Sequence, residues 1–144
     1  MQSRRSFLKK SIAGAIAARA ISSPLDVFSE NSHHHQLTIL HTNDVHSHIE
    51  AFAADDKKYP GLGGAEYRAT IIENIRKKKS NTLVLDAGDI FQGTPYFNFF
   101  HGDLEIDLMN KMKYDAATIG NHDFDGGIDT LAKQITRANF PFVN

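Results

Sequence analysis

Three short polar clusters in this chain carry the residue types that hold divalent cations. Asp44 and His46 stand two apart in Asn43-Asp44-Val45-His46, and Asp89 follows a glycine in Gly88-Asp89. Asn121, His122 and Asp125 crowd into Gly120-Asn121-His122-Asp123-Phe124-Asp125. On an extended backbone alternate side chains point the same way, so Asp44 and His46 can chelate one ion. Gly88 lets the chain turn tightly and present the Asp89 carboxylate between two ions. The amide oxygen of Asn121 is a neutral ligand for the second. Two ions about 3.5–4 Å apart, sharing a carboxylate, are what a binuclear phosphate-ester hydrolase requires. His122 is placed to reach the phosphate, with Asp125 to fix its tautomer and hold it cationic. Singly, each cluster has a plainer explanation: Gly-Asp makes turns, and Asn-His-Asp caps helices. Jointly and in this order, turn chemistry does not account for them.

Such clusters need strands to carry them. Leu37–His41 reads as a buried strand that stops at Thr42-Asn43-Asp44, and Thr82–Leu85 as one that stops at Asp86-Ala87-Gly88-Asp89. Ala116–Ile119 runs into Gly120-Asn121-His122-Asp123, and Phe140–Val143 gives a fourth run. Helical spacing links Leu62, Ala65, Ala69, Ile72 and Ile75, with Arg76 to Lys79 at the favourable end of the dipole. Leu104, Leu108 and Met112 predict a second helix, with Met109 nearby, and Ile128, Leu131 and Ile135 a third. Alternating strands and helices imply an α/β class, or a layered αββα arrangement. In such sheets ligands gather outside the carboxyl ends of the strands, where all three clusters fall.

Composition narrows the chemistry further. There are no cysteines, so a metal must be held by His, Asp, Glu or Asn. A net charge of −1 gives no basic face for a nucleic-acid polymer. No apolar run approaches the ~18 residues of a membrane span, so no stable anchor is expected. Ser3-Arg4-Arg5-Ser6-Phe7-Leu8-Lys9 matches the twin-arginine export motif, followed by an Ala-rich stretch and the small-x-small site Ala18-Arg19-Ala20. Residues 1–20 therefore read as a signal peptide for the twin-arginine machinery, which exports folded proteins, and imply a periplasmic location. Residues 21–36 read as a linker. Its His33-His34-His35 run cannot face one metal on a strand, because side chains alternate.

Leu37 to His46, Gly88-Asp89-Ile90-Phe91-Gln92-Gly93-Thr94-Pro95 and Gly120 to Asp125 together resemble the metallophosphoesterase domain of the bacterial 5′-nucleotidase family. The resemblance runs from about Leu37 to Asn144. It implies a four-layer αββα, calcineurin-like fold and two divalent ions, with Zn, Mn, Fe or Co all compatible with the ligands. By matching positions, Asp44 and His46 would bind the first ion, Asp89 would bridge, and Asn121 would bind the second. His122 would stabilise the phosphoryl transition state, oriented by Asp125, while a metal-bound hydroxide attacks in line. The substrate implied is a small phosphate ester, a nucleotide. The family pattern more often has Glu where this chain has Asp123, a position that is not a ligand. His48 receives no role.

Family members place further ligands well downstream, one His and then a Gly-His-x-His-like segment. Residues 37–144 are therefore expected to be the N-terminal, incomplete part of the domain, with unpaired sheet edges. Two readings of a different class remain. The chain is either a piece of a metal-dependent phosphomonoesterase or a naturally truncated, inactive remnant binding metal weakly. Within the family, a cyclic-nucleotide phosphodiesterase or a thiosulfate-ester hydrolase stays open, though Gln92-Gly93-Thr94-Pro95 looks more like the nucleotidase version.

Overall fold

The computed structural model describes residues 36–144. The expected signal segment and all of the linker but Gln36 lie outside the described residues. Thr38–Thr42 (β1), Thr82–Asp86 (β2) and Ala116–Ala117 (β3) form a parallel sheet in that spatial order. Parallel neighbours need long crossovers, and helices supply them. Ala65–Lys78 (α1) joins β1 to β2, while Pro95–Phe100 (α2) and Asp103–Met112 (α3) join β2 to β3. One 3-10 turn at His122–Phe124 precedes Ile128–Arg137 (α4), after which Phe142 bridges to Ala117 in parallel.

Register decides what this sheet can do. Thr42 pairs with Asp86 and Asp86 with Ala117, so the last residues of the three strands lie in one row. The polar segments that follow them therefore leave the sheet side by side. Packing holds the row in place: Val84 of β2 and Ala117 of β3 are each 1% exposed. Ile90 and Phe91, directly after Asp89, are buried in the same core as Ile106, Met109 and Leu131. Burying a side chain of this size contributes about 1.5–3 kcal/mol, so two hydrophobic anchors fix the segment that carries Asp89.

The helix termini are specified locally. Pro95 opens α2, where its missing N–H costs nothing. Gly102 sits between α2 and α3 at φ +93, and a Cβ there would lie 2.8 Å from the Phe91 ring. Only glycine combines that backbone with that close approach. Arg76 donates to the Met112 and Lys113 carbonyls at 2.6 and 2.5 Å, capping α3 from α1.

Several expectations are corrected. β1 is half-exposed rather than buried, with Leu37 and Ile39 more than half open, because it is the edge of this sheet. β3 has two strand residues, since the chain must turn at Gly120 to reach Asp89. The Phe140–Val143 run contributes a single bridge at Phe142. Leu62 precedes α1 and is exposed, as is Ile128 at the start of α4. On α3 the deeply buried residues are Glu105, Ile106, Met109 and Met112, with Leu104 and Leu108 only partly covered. That helix packs against both α1 and α4, so its apolar arc is wide and the Leu spacing marks only its margin.

Candidate metal centre

Beyond the strand ends the first two polar segments continue to pair. Asp44 N–H donates to the Gly88 carbonyl at 3.0 Å, His46 to that of Asp89 at 3.0 Å and Ser47 to that of Ile90 at 2.9 Å. The backbone is not extended here, contrary to the alternation expected for Asp44 and His46. Asp44, His46, Ser47 and Asp89 have φ of +52, +48, +53 and +54, the left-handed region that non-glycine residues seldom enter. Asp44 and His46 nevertheless face the same point, with His46 Nε2 3.7 Å from Asp44 Oδ1.

Asp89 joins them. One ligand atom each from Asp44, His46 and Asp89 lies within 4.8 Å of the other two. Two carboxylate oxygens and one imidazole nitrogen at this spacing fit a divalent cation of the Zn, Mn, Fe or Co kind. His122 borders the group, its ring centroid 5.2 Å from that of His46 and the planes at 71°. Its Nδ1 is 2.8 Å from Asp125 Oδ2. That hydrogen bond holds the imidazole above its usual pKa. Desolvation opposes it, and the charges of Asp125, Asp89 and Asp123 reinforce it. With Nδ1 engaged by Asp125, Nε2 is left free, and it is a donor when the ring is protonated. Asn121 lies between Gly120 and His122 with its side chain exposed. The next backbone N–H, that of His122, donates to Asp89 Oδ1 at 2.8 Å, which ties the third cluster to the second.

Close backbone contact makes this junction possible. A Cβ on Gly88, whose φ is +96, would approach the Gly120 nitrogen to 2.5 Å. A Cβ on Gly120 would overlap the Asp89 nitrogen and carboxylate. The residue that sequence reasoning passed over is Asp123, which is 1% exposed. Its Oδ1 accepts from Ile90 and Phe91 N–H at 2.8 and 3.0 Å, and its Oδ2 from Gly120 and Asp89 N–H at 2.8 and 3.1 Å. Four donors on one carboxylate bind the second and third strand-end segments together. Burial pushes the Asp123 carboxyl up while the four N–H groups pull it down. An acid of either length at this position in the resemblance was the available signal.

Asp86 has a comparable role at the end of β2. Its Oδ2 accepts from Thr42 Oγ1 at 2.5 Å and its Oδ1 from Gly88 N–H at 2.9 Å. Desolvation raises its pKa, with the Thr42 and Gly88 hydrogen bonds opposing.

The family model described as calcineurin-like phosphoesterase matches residues 37–144. A snake venom 5′-nucleotidase of Crotalus adamanteus is 46% identical over 113 residues, covering 76% of this chain and 19% of that protein. The 5′-nucleotidase of Homo sapiens is 40% identical over 114 residues, covering 76% and 20%. Among solved structures, a 5′-nucleotidase precursor from Thermus thermophilus superposes with a TM-score of 0.69 at 38% identity, over 75% of this chain and 22% of that one. The chain thus spans about one fifth of the length of the curated relatives it matches. Across the stretch that builds the parallel sheet and the polar rim at its carboxyl edge, the chain belongs to the calcineurin-like phosphoesterase family.

Proposed function

We propose that the protein is a divalent-metal-dependent phosphomonoesterase acting on a nucleotide, and that its site lies at the carboxyl edge of the sheet. The observation that carries this reading is the convergence of Asp44, His46 and Asp89 beside a histidine whose Nδ1 is hydrogen-bonded to Asp125, which raises the imidazole pKa. In it Asp44 and His46 would hold one ion and Asn121 a second, with Asp89 available to both. The bound ions would supply a water of lowered pKa and positive charge against the phosphate oxygens. The remaining work falls to the chain. His122 donates from Nε2 to a phosphoryl oxygen as charge builds there, and Asp125 keeps its other nitrogen protonated and its ring oriented. Asp123 keeps the segments carrying Asp89 and His122 in register.

Relatives named 5′-nucleotidase support a nucleotide as the substrate class. The twin-arginine motif at Arg4-Arg5 supports export to the periplasm in a folded state, which suits an enzyme that must carry its metals with it. The test is His122→Ala in the full-length protein, assayed with a nucleoside monophosphate. Loss of one transition-state donor lowers kcat by roughly 10²–10³-fold. A kcat within a few-fold of the parent removes His122 from the chemistry.

A further inference from the structure

We propose that Arg68 and Glu105 form an internal charge pair joined by one buried water. In this arrangement the pair is a positioning device for the turn that carries Asp89. A glutamate in the first turn of a helix ordinarily sits in solvent, where it complements the dipole. Glu105 occupies such a place in α3 but is 3% exposed, and neither carboxylate oxygen has a hydrogen-bond partner among the described residues. Nε of Arg68, on α1, is also buried without one. Both side chains line the same small cavity, together with Asp86, Tyr114 and the apolar Met109 and Ile90. Among the described residues, no ion pair closer than 4.0 Å joins the two. A carboxylate buried in such a place without a hydrogen-bond partner is destabilising, so a partner is required.

The cavity measures about 10 Å³, room for a single water. A water there accepts from Arg68 Nε–H and donates its two hydrogens to one Glu105 oxygen and to Asp86, which gives Nε and the Glu105 carboxylate a partner each and leaves no donor unmatched. Asp86 is the link outward. Its other bonds, to Thr42 Oγ1 and Gly88 N–H, set the turn whose carbonyl at Gly88 receives Asp44 N–H. Thr42 Oγ1 lies 2.9 Å from the hydroxyl of Tyr114, another residue that lines the cavity. The water and the pairing stand without any metal. The positioning role rests on the proposed metal centre.

Two measurements on the full-length protein separate these claims. The first is a double-mutant cycle in urea with Arg68→Met, Glu105→Leu and the double variant. Each single change strands one charge, so the double variant should be at least about fivefold better folded than additivity allows. Additivity within about twofold overturns the pairing. If either single variant does not fold, the double variant, free of both charges, should still fold; its failure overturns the pairing too. A crystal structure should show one ordered water between Glu105 and Arg68, and a dry cavity or a direct contact overturns the bridge. The second measurement is Mn²⁺ affinity. Glu105→Leu should weaken binding on the order of 10-fold, as loss of a supporting residue does, with Glu105→Gln restoring most of it. Unchanged affinity in Glu105→Leu overturns the positioning role. A parent that binds no Mn²⁺ refutes the metal centre, and the positioning role with it, leaving the cycle to decide the pairing.

Discussion

Replacing Asp123 by Asn changes one heavy atom and should cost as much as a large core truncation. Each oxygen of the Asp123 carboxylate receives two backbone N–H groups, Ile90 and Phe91 on one side, Gly120 and Asp89 on the other. Whichever way an amide is turned, its NH₂ faces two of these four donors. Hydrogen bonds to a charged acceptor contribute about 1.5–3 kcal/mol each, and the residue is too deeply buried for water to replace them freely. Losing two, with the other two weakened by the loss of charge, gives a destabilisation of about 3–5 kcal/mol. That is a large share of the roughly 5–15 kcal/mol that holds a domain folded. Urea unfolding of the full-length protein followed by far-UV circular dichroism measures it directly; residues 1–144 contain no Trp for fluorescence. Asp123→Glu separates charge from shape. It keeps both acceptor oxygens and adds one methylene, an overpacking cost of about 1–3 kcal/mol. A loss below about 1 kcal/mol in Asp123→Asn, or a larger loss in Asp123→Glu, would refute the clamp.

Gly120→Ala should be destabilising by about 3 kcal/mol, at the upper end of overpacking, because its Cβ meets the Asp89 backbone nitrogen as well as the Asp89 carboxylate, which His122 N–H holds in place. A melting temperature within about 2–3 °C of the parent, the shift 1 kcal/mol gives in a larger domain, would contradict that contact. Asp89→Asn should lower metal content by at least one ion per protein by elemental analysis, and unchanged content counts against bridging. Acid should loosen the α3–α4 contact. Gln134 and Lys133 hold the Asp103 carboxyl below its ordinary pKa of 3.8, and Arg137 does the same for Asp107. Folded pKa values below the unfolded ones mean this stability is fully present above 3.8 and is lost as pH falls through the folded values. The stability gap between the parent and an Asp103→Asn, Asp107→Asn variant should therefore narrow below about pH 4, and a gap that widens there reverses the sign.

The strand-end clusters were legible because three separate segments each place Asp, His or Asn after a β-branched or apolar run. The register that aligns Thr42, Asp86 and Ala117 then makes convergence a consequence of sheet geometry. Asp123 was not legible in the same way. Nothing in its own segment distinguishes a carboxylate that takes four N–H groups from one that caps a turn, since three of its donors lie more than 30 residues away. Glu105 was hidden for a similar reason. Periodicity in Leu104, Leu108 and Met112 placed the buried face of α3 slightly aside from where two packing partners put it. Helix α2 went unforeseen because six residues, three of them Phe, give too short a period to separate from a loop.

The left-handed backbone at Asp44, His46 and Asp89, and at Ser47 beside them, sets stability against ligation at the positions that would hold a cation. Such conformations cost on the order of 1–2 kcal/mol per residue for most side chains, and glycine escapes them. Three of the four residues cannot become glycine without surrendering a ligand atom. Selection for thermal tolerance alone would thus erode this centre before it touched the core. A descendant of this chain that had lost its metal would be expected to be the sturdier protein.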